Sequence, residues 1–421
     1  MRRRDAMASV AYQIVAAGAQ LKAAAAYDRV RMGFIGSGLR GSQLLGDFVK
    51  SPGVVPVMVA DLYDGCLQRA QEQTEGSIET TKDYRAVLDR KDIDAVVIAT
   101  PDHWHKKMTL DALSAGKHVY VEKPLTWSIE EGPEIIAAAA QSKRLLQVGS
   151  GAKTSAVTAK ARELVKSGVL GKIMQVKMVN NRNTPEGAWL YPIPPDASPK
   201  TIDWPKFLGD RPKKPFDAKT FFRWRCWWEY SGGVATDLFV HMTSQLNEVM
   251  SVEAPTSVVS QGGLFKWNDG RTVPDFMSSI YEYPGFLAEM SVNQCNGFAP
   301  RMMQIAGAEG TLEVGADRIV HNFERKPDNV QRYGSISWPK EMRARYLETA
   351  RKTATPEKAK DIKIEQGPSH TDLFLVSLRE GKPSVEDARE GHLAAGAAHL
   401  ANMAFRNGRR MRWDIKTNTV V

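Results

Sequence analysis

The sequence holds little cysteine. The three thiols among its 421 residues, Cys66, Cys226 and Cys295, are odd in number and far apart. That spacing argues against a disulfide framework and a zinc site, and free thiols are the plain reading. There is also no uninterrupted apolar run of the roughly 18 residues that a membrane-spanning helix requires. Nor is charge of one sign concentrated. The net charge is +9, but lysine and arginine are spread along the chain, with clusters only at Arg2–Arg4 and at 406–412. The second cluster has the composition of a helix end, with cations before Gly408. A nucleic-acid surface is not expected. What remains is an ordinary globular composition, 43% hydrophobic and 25% charged. At this length two domains are expected.

Residues 1–26 stand apart. Arg2-Arg3-Arg4-Asp5 is followed by a mildly apolar, alanine-rich stretch, then Lys22 and Ala23–Ala26. The layout is that of an export signal of the twin-arginine kind, although Ala6 stands where a bulky apolar residue is usual. A periplasmic or secreted location is therefore expected, with a cytoplasmic one as the alternative. N-terminal sequencing of the native protein tests this.

The chain is organised around Gly36-Ser37-Gly38-Leu39-Arg40-Gly41. An apolar run over 30–35 precedes it and a helix is expected from Leu39. In the pattern Gly36-x-Gly38-x-x-Gly41, the first glycine permits a tight strand-to-helix turn. The second lets backbone approach a pyrophosphate, and the third lets the helix pack against the strand. The helix N-terminus adds free N–H donors and a favourable dipole. A second apolar run, 54–60, ends at Asp61, 20 residues beyond Gly41. A carboxylate there accepts the ribose hydroxyls of an adenosine and repels a 2′-phosphate, so NAD is favoured over NADP. Arg40 is a nearby cation that softens this preference.

Residues 27–150 alternate strand and helix, with strands at 30–35, 54–60, 95–99, 118–121 and 145–148. This predicts a doubly wound parallel sheet with ligands at the carboxyl ends of its strands. Two motifs fall at such ends. Thr100-Pro101-Asp102-His103-Trp104-His105 follows the third strand, and its rings are expected over the nucleotide site. No carboxylate–histidine set completes a metal site. Glu122-Lys123-Pro124 follows the fourth strand, where Pro124 biases Lys123 to extended backbone. A lysine projecting into the cleft stabilises a developing alkoxide.

In the second half, a Pro- and aromatic-rich excursion spans 183–224 and contains Trp189 and Trp204. It reads equally as an aromatic wall for sugar faces or as a flap packed on the body. The segment Phe221-Phe-Arg-Trp-Arg-Cys-Trp-Trp-Glu-Tyr-Ser-Gly-Gly233 then leads to Asp237 and His241. Four residues apart, these two share a helix face, which suits a base and its orienting carboxylate.

Together the glycine loop, Thr100-Pro-Asp-x-x-His105 and Glu122-Lys-Pro124 resemble the Gfo/Idh/MocA family of nicotinamide-dependent oxidoreductases. Glu390-Gly-His392 extends the likeness, which covers almost all of the chain from about Asp28. The resemblance implies an α/β protein: an N-terminal Rossmann domain, and over 151–421 a C-terminal α/β domain with a large, open, mostly antiparallel sheet. It implies Lys123, Asp237 and His241 as the catalytic group. The cofactor residues expected are Gly36, Ser37, Gly38, Leu39, Arg40, Asp61, Thr100, Pro101, His103, His105, Glu122 and Lys123. Candidate substrate-lining residues are Trp104, Trp189, Arg223, Trp224, Tyr230 and His370. Alternating strands in the second half leave one sheet face for another subunit, so a homo-oligomer, dimer or tetramer, is expected.

Three functions fit these residues. The first is hydride transfer between a sugar or polyol carbon and NAD. The second is a redox-neutral glycosidase that oxidises, eliminates, hydrates and re-reduces its substrate. Relatives that act so lack Glu-Lys-Pro, which this chain keeps. The third is a non-catalytic sugar or nucleotide sensor.

Overall fold

The structure is a computed structural model that describes residues 29–298, 301–324, 329–350 and 358–421. The export-signal expectation for 1–26 lies outside them. In the first half, β1 (Val30–Ile35) runs into α1 (Leu39–Lys50), and β2 (Val54–Ala60) follows. The alternation continues through α2 (Asp64–Gln73), β3 (Glu79–Thr81), α3 (Tyr84–Asp89), β4 (Ala95–Ile98), α4 (Asp102–Ser114), β5 (His118–Val121), α5 (Gly132–Ser142) and β6 (Leu146–Val148). The six strands form one parallel sheet in the order β3-β2-β1-β4-β5-β6. Strand β4 is buried at every residue, as a strand covered on both faces must be. The order reverses between β1 and β4, and there the carboxyl ends open the crevice that takes a ligand.

The second half opens with α6 (Ala156–Lys166) and β7 (Ile173–Asn181). The excursion over 183–224 contains α7 (Trp204–Leu208) and α8 (Ala218–Phe222). A π-helical turn, Ala235–Phe239, then leads into α9 (Val240–Met250). Strands β8 (Ser257–Gly263), β9 (Phe276–Tyr283), β10 (Phe286–Asn293), β11 (Arg301–Gly307), β12 (Gly310–Val314) and β13 (Arg318–Phe323) follow. The last elements are α10 (Lys340–Glu348), β14 (Lys360–Lys363), α11 (His370–Glu380), α12 (Ala388–Asn407), β15 (Met411–Asp414) and β16 (Thr419–Val420). Ten strands make one sheet, β14-β13-β12-β11-β7-β10-β9-β8-β15-β16, antiparallel throughout except for β7 beside β10. Strand β9 alternates buried and exposed residues, and its inward Met277 and Tyr281 pack in a core shared with α9 and α12.

The fold departs from the sequence expectations in two places. Five short strands, β3, β13, β14, β15 and β16, fall outside the sequence expectations, because runs of two to six residues are too short to carry a clear periodicity. The division at residue 150 is crossed by the chain. Phe374 and Leu375 of α11 pack in the Rossmann core beside Phe48 and Tyr120, whose rings meet Phe374 edge-on. The excursion is packed on the body: Trp204 and Phe207 stack at 5.1 Å, with Tyr230 in the same cluster. No helix among the described residues is long and apolar enough to cross a membrane.

Candidate active site

Between the two sheets lies a cavity of about 1630 Å³, lined at one end by the glycine loop and Asp61 and at the other by Lys123, Arg225 and His241. This exceeds the few hundred to about 1,000 Å³ of a pocket for one small ligand. It has room for a dinucleotide and a second molecule.

The glycine loop fits a bound dinucleotide. Gly36 has φ +86°, a backbone form that suits only glycine, and a Cβ there would meet the carbonyl of Ala99 at 2.7 Å. A Cβ on Gly41 would sit 2.0 Å from the Gly36 carbonyl, so glycine is what lets α1 reach β1. Gly38 has open space before it, as close approach of a phosphate requires. Asp61 accepts from the backbone N–H of Ser37 at 2.7 Å and of Tyr63 at 3.0 Å. Burial pushes its pKa up, and those two hydrogen bonds oppose the rise. Ser37, Leu39, Thr100, Pro101 and Glu122 also line the cavity. Arg40 lines it too, and its Nε donates to Glu122 Oε1 at 2.8 Å, so the cation expected to soften the NAD preference is tied to the strand-end carboxylate.

At the other end, Lys123 stands just past β5, before a cis Lys123–Pro124 bond. Its Nζ donates to Asp237 Oδ1 at 2.9 Å and to the Asp237 carbonyl at 2.8 Å. Arg225 Nε donates to the same Oδ1 at 3.1 Å, and an Arg182 terminal nitrogen lies 3.8 Å from Oδ2. Although burial opposes it, the three cations, Lys123 first, hold the Asp237 carboxyl far below the usual carboxylate range. Asp237 therefore carries a duty that the four-residue spacing to His241 does not reveal: it holds Lys123 in place. Asp237 falls within the π-helical turn, a feature that often marks functional positions. His241 is on α9 and lines the cavity.

Several expected residues sit elsewhere. The rings of His103 and His105 do not face the nucleotide site. His103 Nε2 lies 2.8 Å from the carbonyl of Phe207, and burial lowers its pKa to about 3. Buried His105 has its ring nitrogens 2.6 Å and 2.9 Å from the carbonyls of Pro124 and Thr100. It thereby ties together the two loops that carry the motifs. Trp104 lines the cavity while its Nε1 donates to the Phe207 carbonyl at 3.0 Å.

Trp189 and Tyr230, each 1% exposed, are core residues, because the excursion folds inward on them. Arg223 donates from Nε to the Tyr191 carbonyl at 2.9 Å and so pins the excursion instead of lining the cavity. His370 bonds to Thr154 and to the Val148 carbonyl. Trp224 does line the cavity, beside Tyr191, Pro192 and Pro194. The excursion thus lines the cavity at Trp224 and packs on the body at Trp189 and Trp204. Asp102, Arg182, Tyr191 and Arg225 were not singled out from the sequence. The signal for two of them was present: Asp102 is inside the Thr-Pro-Asp motif, and Arg225 lies among the aromatics before Asp237.

Comparison with known proteins agrees with this geometry. The family described as "Oxidoreductase family, NAD-binding Rossmann fold" matches residues 30–150, and the GFO/IDH/MocA C-terminal domain matches 206–313. Among curated proteins, the chain is similar to an alpha-N-acetylgalactosaminidase of Shewanella oneidensis. The two are 29% identical over 38% of this chain and 39% of that protein. It is also similar to a glycosyl hydrolase family 109 protein 1 of Shewanella sp. (strain ANA-3), 31% identical over 34% of this chain and 33% of the other. The matches span well under half the length of these relatives.

Among solved structures, a levoglucosan dehydrogenase in complex with NADH and levoglucosan shares the fold. Its TM-score is 0.66 at 15% identity, over 91% of this chain and 99% of that one. GenD2 from gentamicin A biosynthesis, in complex with NAD, gives 0.66 at 16% identity, over 92% and 97%. With the glycine loop, the six-stranded sheet and two matched domains of one family that together span more than half of it, the chain belongs to the Gfo/Idh/MocA family of NAD-binding oxidoreductases.

Proposed function

We propose that the protein transfers hydride between a hydroxyl-bearing carbon of a sugar or polyol and NAD. The observation that carries this is Lys123 Nζ held on Asp237 in the cavity that also contains His241 and the glycine loop. With its pyrophosphate on that loop, a bound NAD would supply the hydride acceptor. His241 takes the hydroxyl proton as hydride leaves the same carbon. Lys123 donates to the oxygen as charge builds on it, and Asp237 fixes Lys123 so that no reorganisation is needed at that moment. Tyr191 and Trp224 offer rigid apolar faces to the C–H side of a ring. The test is absorbance at the NADH band while a panel of sugars and polyols is added with NAD. Sustained NADH formation with at least one of them is expected, and none with any would defeat the proposal.

A second reading rests on the likeness to the alpha-N-acetylgalactosaminidase and family 109 proteins. It is the redox-neutral glycosidase, in which the same groups would support oxidation of a ring carbon, elimination of the aglycone, addition of water in its place and return of the hydride to the oxidised carbon. Chromogenic glycosides separate the two, because only this reading releases aglycone with no net NADH.

We infer also that a second copy of the chain covers the outer face of the ten-stranded sheet. Met174, Val259, Ile280 and Leu287 stand exposed on its neighbouring strands β7, β8, β9 and β10. Light scattering should return at least twice the 46.7 kDa chain mass, and a monomeric mass at micromolar concentration would rule this out.

A further inference from the structure

The floor of the substrate end is richer in cations than the proposed chemistry needs. One lysine suffices to polarise the reacting oxygen, yet Lys123, Arg225 and Arg182 all converge on Asp237. The other buried carboxyl facing them is Asp102, which is 4% exposed and lies 3.5 Å from the Thr236 hydroxyl. Burial raises its pKa to about 6, against the pull of His105, Arg225 and Lys123. Even with both carboxylates ionised, three cations face two anions. Glu186 lines the cavity too, but it is an exposed residue, and solvent screens its charge.

Arg225 is built to receive an anion. It lines the cavity. Its Nε is spent on Asp237, and its two terminal nitrogens have no hydrogen-bond partner among the described residues. Its guanidinium lies over the Trp224 ring at 4.2 Å, which sets the plane of the fork before any ligand arrives. Arg182, whose side chain is 30% exposed, has its Nε and one terminal nitrogen buried without a hydrogen bond. Buried donors left short of acceptors are costly, and the excess of positive charge around Asp237 favours a ligand that brings negative charge. A planar, fixed guanidinium fork matches carboxylate or phosphate oxygens, which accept two parallel N–H bonds.

We propose that the substrate is an acidic sugar, carrying a carboxylate or phosphate group that the terminal nitrogens of Arg225 bind beside the reacting carbon. This rests on the sugar oxidoreductase reading. It adds the substrate's charge class and gives Arg225 the role of a specificity-determining residue.

The test compares matched substrates with the NAD-loaded full chain: glucose, glucuronate and glucose 6-phosphate, and galactose, galacturonate and galactose 6-phosphate. In at least one series an acidic member should exceed its neutral parent by about 100-fold in kcat/KM, the scale of a charge-assisted bidentate contact. The uronate and phosphate arms tell which anion is taken. In Arg225→Gln the ratio should collapse towards one, chiefly through KM, and in Arg225→Lys it should be partly restored. Neutral sugars turned over as well as the acidic ones would overturn the proposal while leaving the oxidoreductase reading intact. An acid preference that survives Arg225→Gln would also overturn it. If no sugar is oxidised, the oxidoreductase reading fails by itself. Thermal shifts with NADH then still decide the anion site: stabilisation by uronate or sugar phosphate over the neutral sugar supports it, and equal shifts reject it.

Discussion

Replacing Lys123 with methionine is expected to lower kcat by about 10³-fold, the scale of losing a positioned donor to a developing oxyanion. Methionine keeps much of the length and apolar bulk of the side chain, so the packing around this 11% exposed position is preserved. Asp237 retains Arg225 and Arg182 as counter-ions, so no buried charge is left alone. The glycine loop and Asp61 are untouched, and NADH affinity, read from nicotinamide fluorescence, should stay within about threefold, the scatter expected for a distant, independent site. The measurement is single-turnover hydride transfer beside that binding titration. A fall of less than tenfold in the hydride step would remove Lys123 from the chemistry. A parallel fall in NADH affinity would make it a cofactor ligand instead.

The second large effect is in stability. Glu386 is completely buried between the two halves of the protein, and its Oε2 accepts from the Ser244 hydroxyl at 3.2 Å. The charged groups acting on it are Lys153 and Glu390, which pair at 2.7 Å; Lys153 also lies 3.8 Å from Glu248, which binds Arg162 at 2.6 Å. Burial pushes the Glu386 carboxyl up to about 8, against the pull of Lys153. Below the ordinary value of 4.5 both folded and unfolded chains keep this proton, and it costs nothing. Between there and about 8 the unfolded chain has released the proton while the folded chain still holds it. The unfolded state then binds fewer protons, so stability falls as pH rises, by about 1.4 kcal/mol per pH unit.

Across the window this sets a ceiling of about 5 kcal/mol. Glutamine does not titrate. Glu386→Gln should therefore match the wild type near pH 4.5 and exceed it by about 2–4 kcal/mol at pH 8, short of the ceiling because the Lys153 pair is disturbed as well. Urea unfolding of both proteins at several pH values measures this. A gap independent of pH would show that Glu386 is already ionised in the folded protein.

Much of the nucleotide half was legible in the sequence because its constraints are local. A tight turn, a close helix approach and a strand-end carboxylate each demand one residue type at one spacing, and Gly36, Gly41 and Asp61 occupy those positions. The central strands of the parallel sheet, such as Ala95–Ile98, are continuous apolar runs, because both faces are covered. The substrate half was less legible. Edge strands such as Lys360–Lys363 carry charges, which protect a sheet edge but erase the apolar signal. Aromatic residues were expected to line the cavity, but Trp189 and Tyr230 are buried in the core. Nothing in a single sequence tells a wall aromatic from a core aromatic.

By itself, then, the sequence determined the Rossmann domain, the placement of Lys123 at a strand end and the adjacency of Asp237 and His241 along one helical segment, since each follows from short-range geometry. Only the tertiary structure decided that Lys123 reaches Asp237, 114 residues away. It alone turned His103 and His105 to backbone carbonyls and gathered Arg182 and Arg225 around one carboxylate. Those contacts join separate strands, helices and loops, and their energies depend on burial and on which charges meet, quantities that no local spacing carries.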